Sequence, residues 1–370
     1  MTRHTQKETD QNNELACPVN SHTEWDPLEE VIVGRLEHAV FNMGIPQDRY
    51  INSKKSLKEI EKHLSISQPY PKKLVTNAQK SLDQLVNILK SEGITVRRPD
   101  RYDFQQGFST PSWKVSSAFC TSNPRDLCLI IGNEILETPM ACRERYFELF
   151  AYKTLFKEYF QAGAKWTSAP RPELLGDLYE ENYKTKPQKT NGFCLTEFEP
   201  VFDAADFVRC GRDIFGQLSH VTNKMGVEWL SRHLDGKYQI HIIENRDPKA
   251  WHIDTSFMPL APGKVLVNPE FVDLKKIPSI LKTWDILVAP PPVPYKVPPK
   301  VMSDWISINT LMLDQRRIIV EKRQKPLIRA LKDWGFSPIP CSFEAYYPFL
   351  GGFHCATLDV RRTGSLQSYF

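Results

Sequence analysis

One pattern limits the fold of this 370-residue chain more than any other: a strand–turn–strand–helix–strand cycle that recurs, with the pieces of its last copy at opposite ends. The first cycle reads PRDLCLIIGNEILETPM, then the helix-period stretch RERYFELFAYKTLFKEYFQAG, then the short run AKWTSAP. FDAADFVRCGRDIFGQ starts it again, followed by LSHVTNKMGVEWLSRHL and YQIHIIE. WHIDTSFMPLAPGKVLVNPE, KKIPSILKTW and DILVAPP form a third, and SDWISINTLMLDQRRIIVE, KPLIRALKDWG and FSPIPCS a fourth. Gly, Asn and Asp mark the turns, and apolar spacing marks the helices. The fifth cycle takes its first strand from GGFHCATLDVRR at the C-terminus and its second from PLEEVIVGR near the N-terminus. NAQKSLDQLVNILKSEG and ITVRRP complete it. Units that touch only their neighbours gain most when closure leaves no open end. The pattern therefore predicts an α/β ring of five ββαβ units, one closed domain over residues 17–370. The polar stretch 1–16 reads as a disordered leader.

Several function classes drop out on composition. The 48 basic and 44 acidic residues give a net charge of only +4. They are interspersed, with no basic stripe for a nucleic acid. No apolar run is long enough to span a bilayer. The N-terminus has neither an apolar core nor an Arg/Ser-rich amphipathic pattern, so a cytoplasmic location is expected. The eight cysteines form no C-x-x-C and no zinc spacing, so free thiols and no metal are expected.

Polar residues recur at the start of each unit's first strand: Asp126; Asp203 and Asp206; His252 and Asp254; Ser303 and Asp304; Cys355. Around a pseudo-axis these positions meet at one end. His252 and Asp254 lie two apart on a presumed strand and so share a face. His354 alternates to the opposite face, where a packing role is expected. Each residue alone also fits a plain structural reading. The aspartates suit turns, His252 an ordinary core histidine, and Cys355 a small buried apolar residue. Their recurrence at matching positions favours a functional set.

A thiol with an unperturbed pKa of about 8.5 is mostly protonated at neutral pH. Neighbouring carboxylates would repel its thiolate unless a cation lies between them. A planar guanidinium fits, because its fixed fork of donors pairs with carboxylates and its central carbon is an electrophile. A histidine can protonate the departing amine and then deprotonate the next nucleophile.

CPVNSHTEWDPLEEVIVGR, PRDLCLIIGNEILETPM, GAKWTSAP, EFEPVFDAADFVRCGRDIF, WHIDTSF, LMLD and GGFHCATLDVRRTGSLQSY resemble the glycine amidinotransferase family from about residue 17 to the end. The resemblance implies a five-bladed pseudo-symmetric α/β propeller and transfer of an amidino group from L-arginine. On matching positions it implies Cys355 as nucleophile, His252 as acid and base, and Asp203 as its partner. It also implies Asp126, Asp254 and Ser303 as donor contacts, no cofactor, small-molecule substrates and a homodimer. The chain departs from glycine-accepting members at Phe271, where they carry arginine, and at Lys249 and Trp251, where they carry asparagine and methionine. These three are the candidates for acceptor specificity. SDW is one residue shorter than its family counterpart. The altered pocket makes the chain similar to the antibiotic- and toxin-pathway members, the saxitoxin type among them. Transfer to an amine other than, or besides, glycine is expected; transfer to glycine giving guanidinoacetate, deiminase-like hydrolysis of arginine on the same scaffold, and binding without catalysis stay open.

Overall fold

Five three-stranded sheets, each an antiparallel pair extended by a parallel third strand, carry the computed structural model, which describes residues 17–42, 54–180 and 193–370. The leader expected over 1–16 lies outside the described residues. Blade 1 pairs Thr357–Arg362 with Leu28–Val33, and then Leu28–Val33 with Thr95–Arg97. Blade 2 is built from Cys128–Ile131, Glu134–Glu137 and Lys165–Ser168. Phe207–Cys210, Asp213–Gly216 and Gln239–Ile242 form blade 3. Phe257–Ala261, Lys264–Val267 and Asp285–Val288 form blade 4. Leu311–Met312, Arg317–Glu321 and Ser337–Cys341 form blade 5. This is the five-bladed α/β propeller, closed within blade 1 by strands from both ends of the chain.

Local chemistry explains the repeat. The hairpin of blade 2 turns through Gly132 at φ +56°, a conformation that costs glycine nothing sterically. Blade 5 turns instead on Asp314, whose Oδ1 accepts from the amides of Arg316 and Arg317, both at 2.8 Å. First and second strands are almost wholly buried, as in CLII, FVRC and FMPLA, while the third strands KWTS, QIHI and DILV are half-exposed. Helices Lys72–Ser91, Lys153–Gln161, Lys224–His233 and Lys325–Asp333 return the chain between the second and third strands of blades 1, 2, 3 and 5.

Three helix expectations need correction. In RERYFELFAYKTLFKEYFQAG two 3₁₀ stretches, Arg143–Arg145 and Glu148–Tyr152, precede the α-helix, which starts only at Lys153. LSHVTNKMGVEWLSRHL becomes helical only at Lys224, because Asn223 caps it by accepting from the Gly226 amide at 2.9 Å. KKIPSILKTW forms only a short 3₁₀ stretch, Ser279–Thr283, after Pro278. Pro278 has no amide proton to continue a helix from the residues before it, and the segment after it is too short for two α turns.

Where the blades meet, charge is buried in pairs. Arg209 donates to Glu24 Oε1 (2.9 Å), Ser21 Oγ (2.6 Å) and Asp359 Oδ2 (2.6 Å). Arg362 also reaches Asp359 Oδ2 at 2.6 Å, and Arg125 reaches Asp359 Oδ1 at 2.5 Å. Three guanidinium groups therefore converge on one buried carboxylate and hold its pKa well below the ordinary range against the cost of burial. The network ties the N-terminal segment, blades 2 and 3, and the C-terminal strand together.

Candidate active site

The chain enters each first strand through a short turn, and these turns gather the polar residues. In blades 2, 3 and 4 they are Pro124–Leu127, Ala204–Asp206 and Ile253–Thr255. His252 and Asp254 thus belong to a 3₁₀ turn with extended backbone at His252, rather than to a strand. In blade 1 the turn carries Cys355, directly before Thr357–Arg362. Asp126, His252 and Cys355 each bring one atom able to bind a metal ion within 4.8 Å of the other two.

The fourth expected contribution is displaced. Asp304 is held by Lys300, at 3.0 and 3.1 Å, and accepts from the Tyr295 amide. Ser303 lines the cavity and caps its own turn by accepting from the Trp305 amide at 3.2 Å. Blade 5 reaches the thiol with Asn309 instead, because its entry turn, Asp304–Ile308, is longer than the others. Asn309 Nδ2 donates to Cys355 Sγ at 3.1 Å, and its Oδ1 accepts from the amides of His354 (2.9 Å) and Cys355 (3.3 Å). Asp206 is also set apart, accepting from Gln217 and Ser219, with burial pushing its carboxyl up to about 7.

The paired glycines before Cys355 have a steric cause. A Cβ on Gly351 would fall on Asn123 Oδ1 and 2.9 Å from Cys355 Cβ; one on Gly352 would lie 2.5 Å from Asn309 Oδ1. Only glycine lets asparagines from two other blades close around the thiol loop.

His252 Nε2 lies 3.0 Å from Asp203 Oδ2, and its Nδ1 lies 3.6 Å from Asp126 Oδ1. Burial favours neutral imidazole, but Asp126, the Asp203 contact and Cys355 outweigh it and hold the pKa well above 6.5. Burial and the adjacent Asp254 push the Cys355 thiol up to about 12, with His252 pulling the other way. The thiol donates to Asp254 Oδ2 at 3.4 Å. Arg145, missed at the sequence level, donates to Asp126 Oδ2 at 2.7 Å and clamps Glu148 with two further nitrogens. His354 does more than pack: its ring nitrogens meet Asp254 and Glu24.

One oxygen of each aspartate is left over. Oδ1 of Asp126, Asp203 and Asp254 is buried with no hydrogen-bond partner among the described residues. A buried acceptor without a donor is costly, so the two of these atoms that face the cavity, on Asp126 and Asp254, suit a ligand rich in N–H groups. Asp126, Asp254, His252 and Cys355 line a cavity of about 520 Å³, and Asp203 sits behind His252. Lys249, Trp251 and Phe271 line the same cavity. Spare carboxylate oxygens can bind a planar cation, the thiol can attack its central carbon once it has lost its proton, and the imidazolium can supply a proton to a leaving group.

No family profile matches the chain. It is 44% identical over 361 residues to the L-arginine:L-lysine amidinotransferase of Pseudomonas savastanoi pv. phaseolicola, covering 95% of this chain and 96% of that one. It is 42% identical over 371 residues to the mitochondrial glycine amidinotransferase of Danio rerio, covering 96% and 85%. The structure of SxtG, an amidinotransferase from Microseira wollei in the saxitoxin biosynthetic pathway, superposes with a TM-score of 0.93 at 58% identity, covering 96% of this chain and all of that one. The chain belongs to the amidinotransferase family. It is accordingly a transferase of amidino groups. In this amidinotransferase the sequence pattern located Asp126, Asp203, His252, Asp254 and Cys355 in one cluster, but not Asn309, Arg145, Glu24 or the part played by His354. Asn309 could have been found by allowing the entry turns unequal lengths. The buried charges leave no periodic trace.

Proposed function

We propose that the protein moves the amidino group of L-arginine through a covalent amidino-cysteine at Cys355 to an amine, releasing ornithine, in the biosynthesis of a secondary metabolite. The buried Oδ1 atoms of Asp126 and Asp254, without hydrogen-bond partners among the described residues and both on the cavity that holds the thiol, carry this reading. Asp126 and Asp254 each receive one N–H of the donor guanidinium on the Oδ1 that no other group holds, with Ser303 on the cavity wall beside it. The bound cation offsets the carboxylates that hold the thiol protonated, and the thiol releases its proton to solvent once the donor is in place. The thiolate attacks the guanidino carbon. His252, steadied by Asp203, gives its proton to the departing amine of ornithine as the carbon–nitrogen bond breaks. The acceptor amine then attacks the amidino-cysteine and His252 takes its proton. The carbon–sulfur bond breaks and the thiolate is restored. No metal or cofactor enters this sequence.

The acceptor is an amine bulkier than glycine that needs no carboxylate. Trp251 and Phe271 offer it apolar surface, each buried methylene being worth about 0.8 kcal/mol. Lys249 is the opposing feature, a cation that could hold a carboxylate. Residues 17–370 act as one catalytic unit, as a homodimer in the cytoplasm, on small molecules only. Among the described residues no helix is long and apolar enough to cross a membrane.

Incubation with guanidino-labelled arginine, with and without candidate amines, tests the reading. Ornithine and a labelled amine formed only when amine is present are the expected result. Citrulline without amine would mean a hydrolase, and neither turnover nor labelled protein a binding protein. Comparing glycine with a longer aliphatic amine, before and after Lys249→Ala, tests the acceptor. A clear preference for glycine that Lys249→Ala abolishes would make Lys249 a carboxylate clamp.

A further inference from the structure

His354 stands next to Cys355 yet belongs to a different set of contacts. It is buried, and each ring nitrogen faces a carboxylate: Nδ1 lies 2.9 Å from Asp254 Oδ2 and Nε2 lies 3.1 Å from Glu24 Oε2. A carboxylate only accepts, so both contacts are hydrogen bonds when both nitrogens carry protons. Glu24 is itself fixed: Oε1 accepts from the Arg209 side chain at 2.9 Å and from its amide at 3.1 Å, and Arg125 lies 3.6 Å from Oε2. An unbroken line of buried contacts therefore runs from Arg209 and Arg125 through Glu24 and His354 to Asp254.

Asp254 is where this line meets the cavity. Its Oδ2 is shared by His354 and the Cys355 thiol, and its Oδ1 is buried without a partner among the described residues. The carboxylate can turn about its own axis unless one oxygen is held. His354 supplies that hold from the side away from the cavity. His252 makes the corresponding contact with Asp203, so a second carboxylate–histidine pair stands behind the thiol.

We infer that His354, anchored by Glu24, is a positioning residue for amidino transfer: it fixes the Asp254 carboxylate so that the free oxygen meets the donor guanidinium. The inference rests on the donor-binding role proposed above for Asp254. A contact made equally in the bound state and the transition state appears in KM rather than kcat. A charge-assisted hydrogen bond is worth about tenfold or more.

The test uses steady-state kinetics of the full-length enzyme with arginine as donor. His354→Gln is expected to raise the arginine KM about tenfold with kcat changed less than threefold. Glu24→Gln, remote from the cavity, is expected to raise it in the same direction by less. In an Asp254→Asn background neither change should raise KM further, because the group they position is already altered. Unchanged KM in His354→Gln, or an equal rise with and without the Asp254 carboxylate, overturns the inference. Should His354→Gln fail to fold, Glu24→Gln decides on the same readouts. Wild-type enzyme mixed with arginine alone separates the two levels. Absence of an amidino adduct at Cys355 would defeat the donor reading itself, whereas an adduct together with an unchanged KM defeats only the role of His354.

Discussion

Cys355 rests as a thiol because burial and Asp254 act on it together, so its reactivity measures the charge around it. Its alkylation by iodoacetamide should rise with pH toward a midpoint near 12. An ordinary thiol would reach its midpoint at about 8.5. Asp254→Asn removes a negative charge that disfavours the thiolate, so the midpoint should fall. A wild-type midpoint near the ordinary value, or an upward move in the variant, would contradict this account. His252 serves both half-reactions in the proposed mechanism, and loss of a positioned acid–base group costs about 10²–10⁴ in rate. His252→Asn should slow adduct formation and adduct discharge alike, as followed by intact mass. A change in donor affinity alone would remove it from that role. Cys355→Ser should form no adduct at all.

At the scale of elements, the five entry turns do the assembling, and the glycine pair shows how tightly. Gly352→Ala must push Asn309 aside and break its contacts with Cys355 Sγ and the His354 amide. Activity should fall by about 10²-fold, since a displacement of about 1 Å has that effect on a positioned group. Thermal unfolding checks that the fold survives, and unaltered activity would show that the loop tolerates the Cβ. The same elements mark what could be read in advance. Turn residues and apolar periods revealed the cycle, because hairpins and amphipathic helices write their geometry locally. Asn309 escaped because its turn is longer, so even spacing pointed to Ser303 and Asp304. The missing helix of blade 4 follows from Pro278, and the late start in blade 3 from the Asn223 cap. Arg145, Glu24 and His354 matter through contacts between distant segments, which no local pattern encodes.

On the scale of the whole molecule, stability depends on charge as well as apolar packing. Asp359 neutralises parts of three guanidinium groups while fully buried. Breaking such a network by removing one partner costs about 3–5 kcal/mol. Asp359→Asn should therefore lower the denaturant midpoint sharply, with little change of slope. Because its folded pKa is depressed, the carboxylate's contribution is present above the unfolded value of about 4. It is lost only as pH falls through the folded value, so the wild-type should resist mild acid better than the variant. Equal stability of the two across that range would mean the arginines find other partners.

The division of blade 1 between the chain ends also sets an order in time. Synthesis runs from the N-terminus, so Leu28–Val33 emerges early with its parallel neighbour Thr95–Arg97 but without Thr357–Arg362. Domains assemble as units when their partners become available. Of the strands that build the ring, the one that shuts it is made last, and Cys355 enters just ahead of it. A nascent chain thus carries Asp126, Asp203 and Asp254 long before it carries the Cys355 thiol, and the cluster is assembled only when the ring closes.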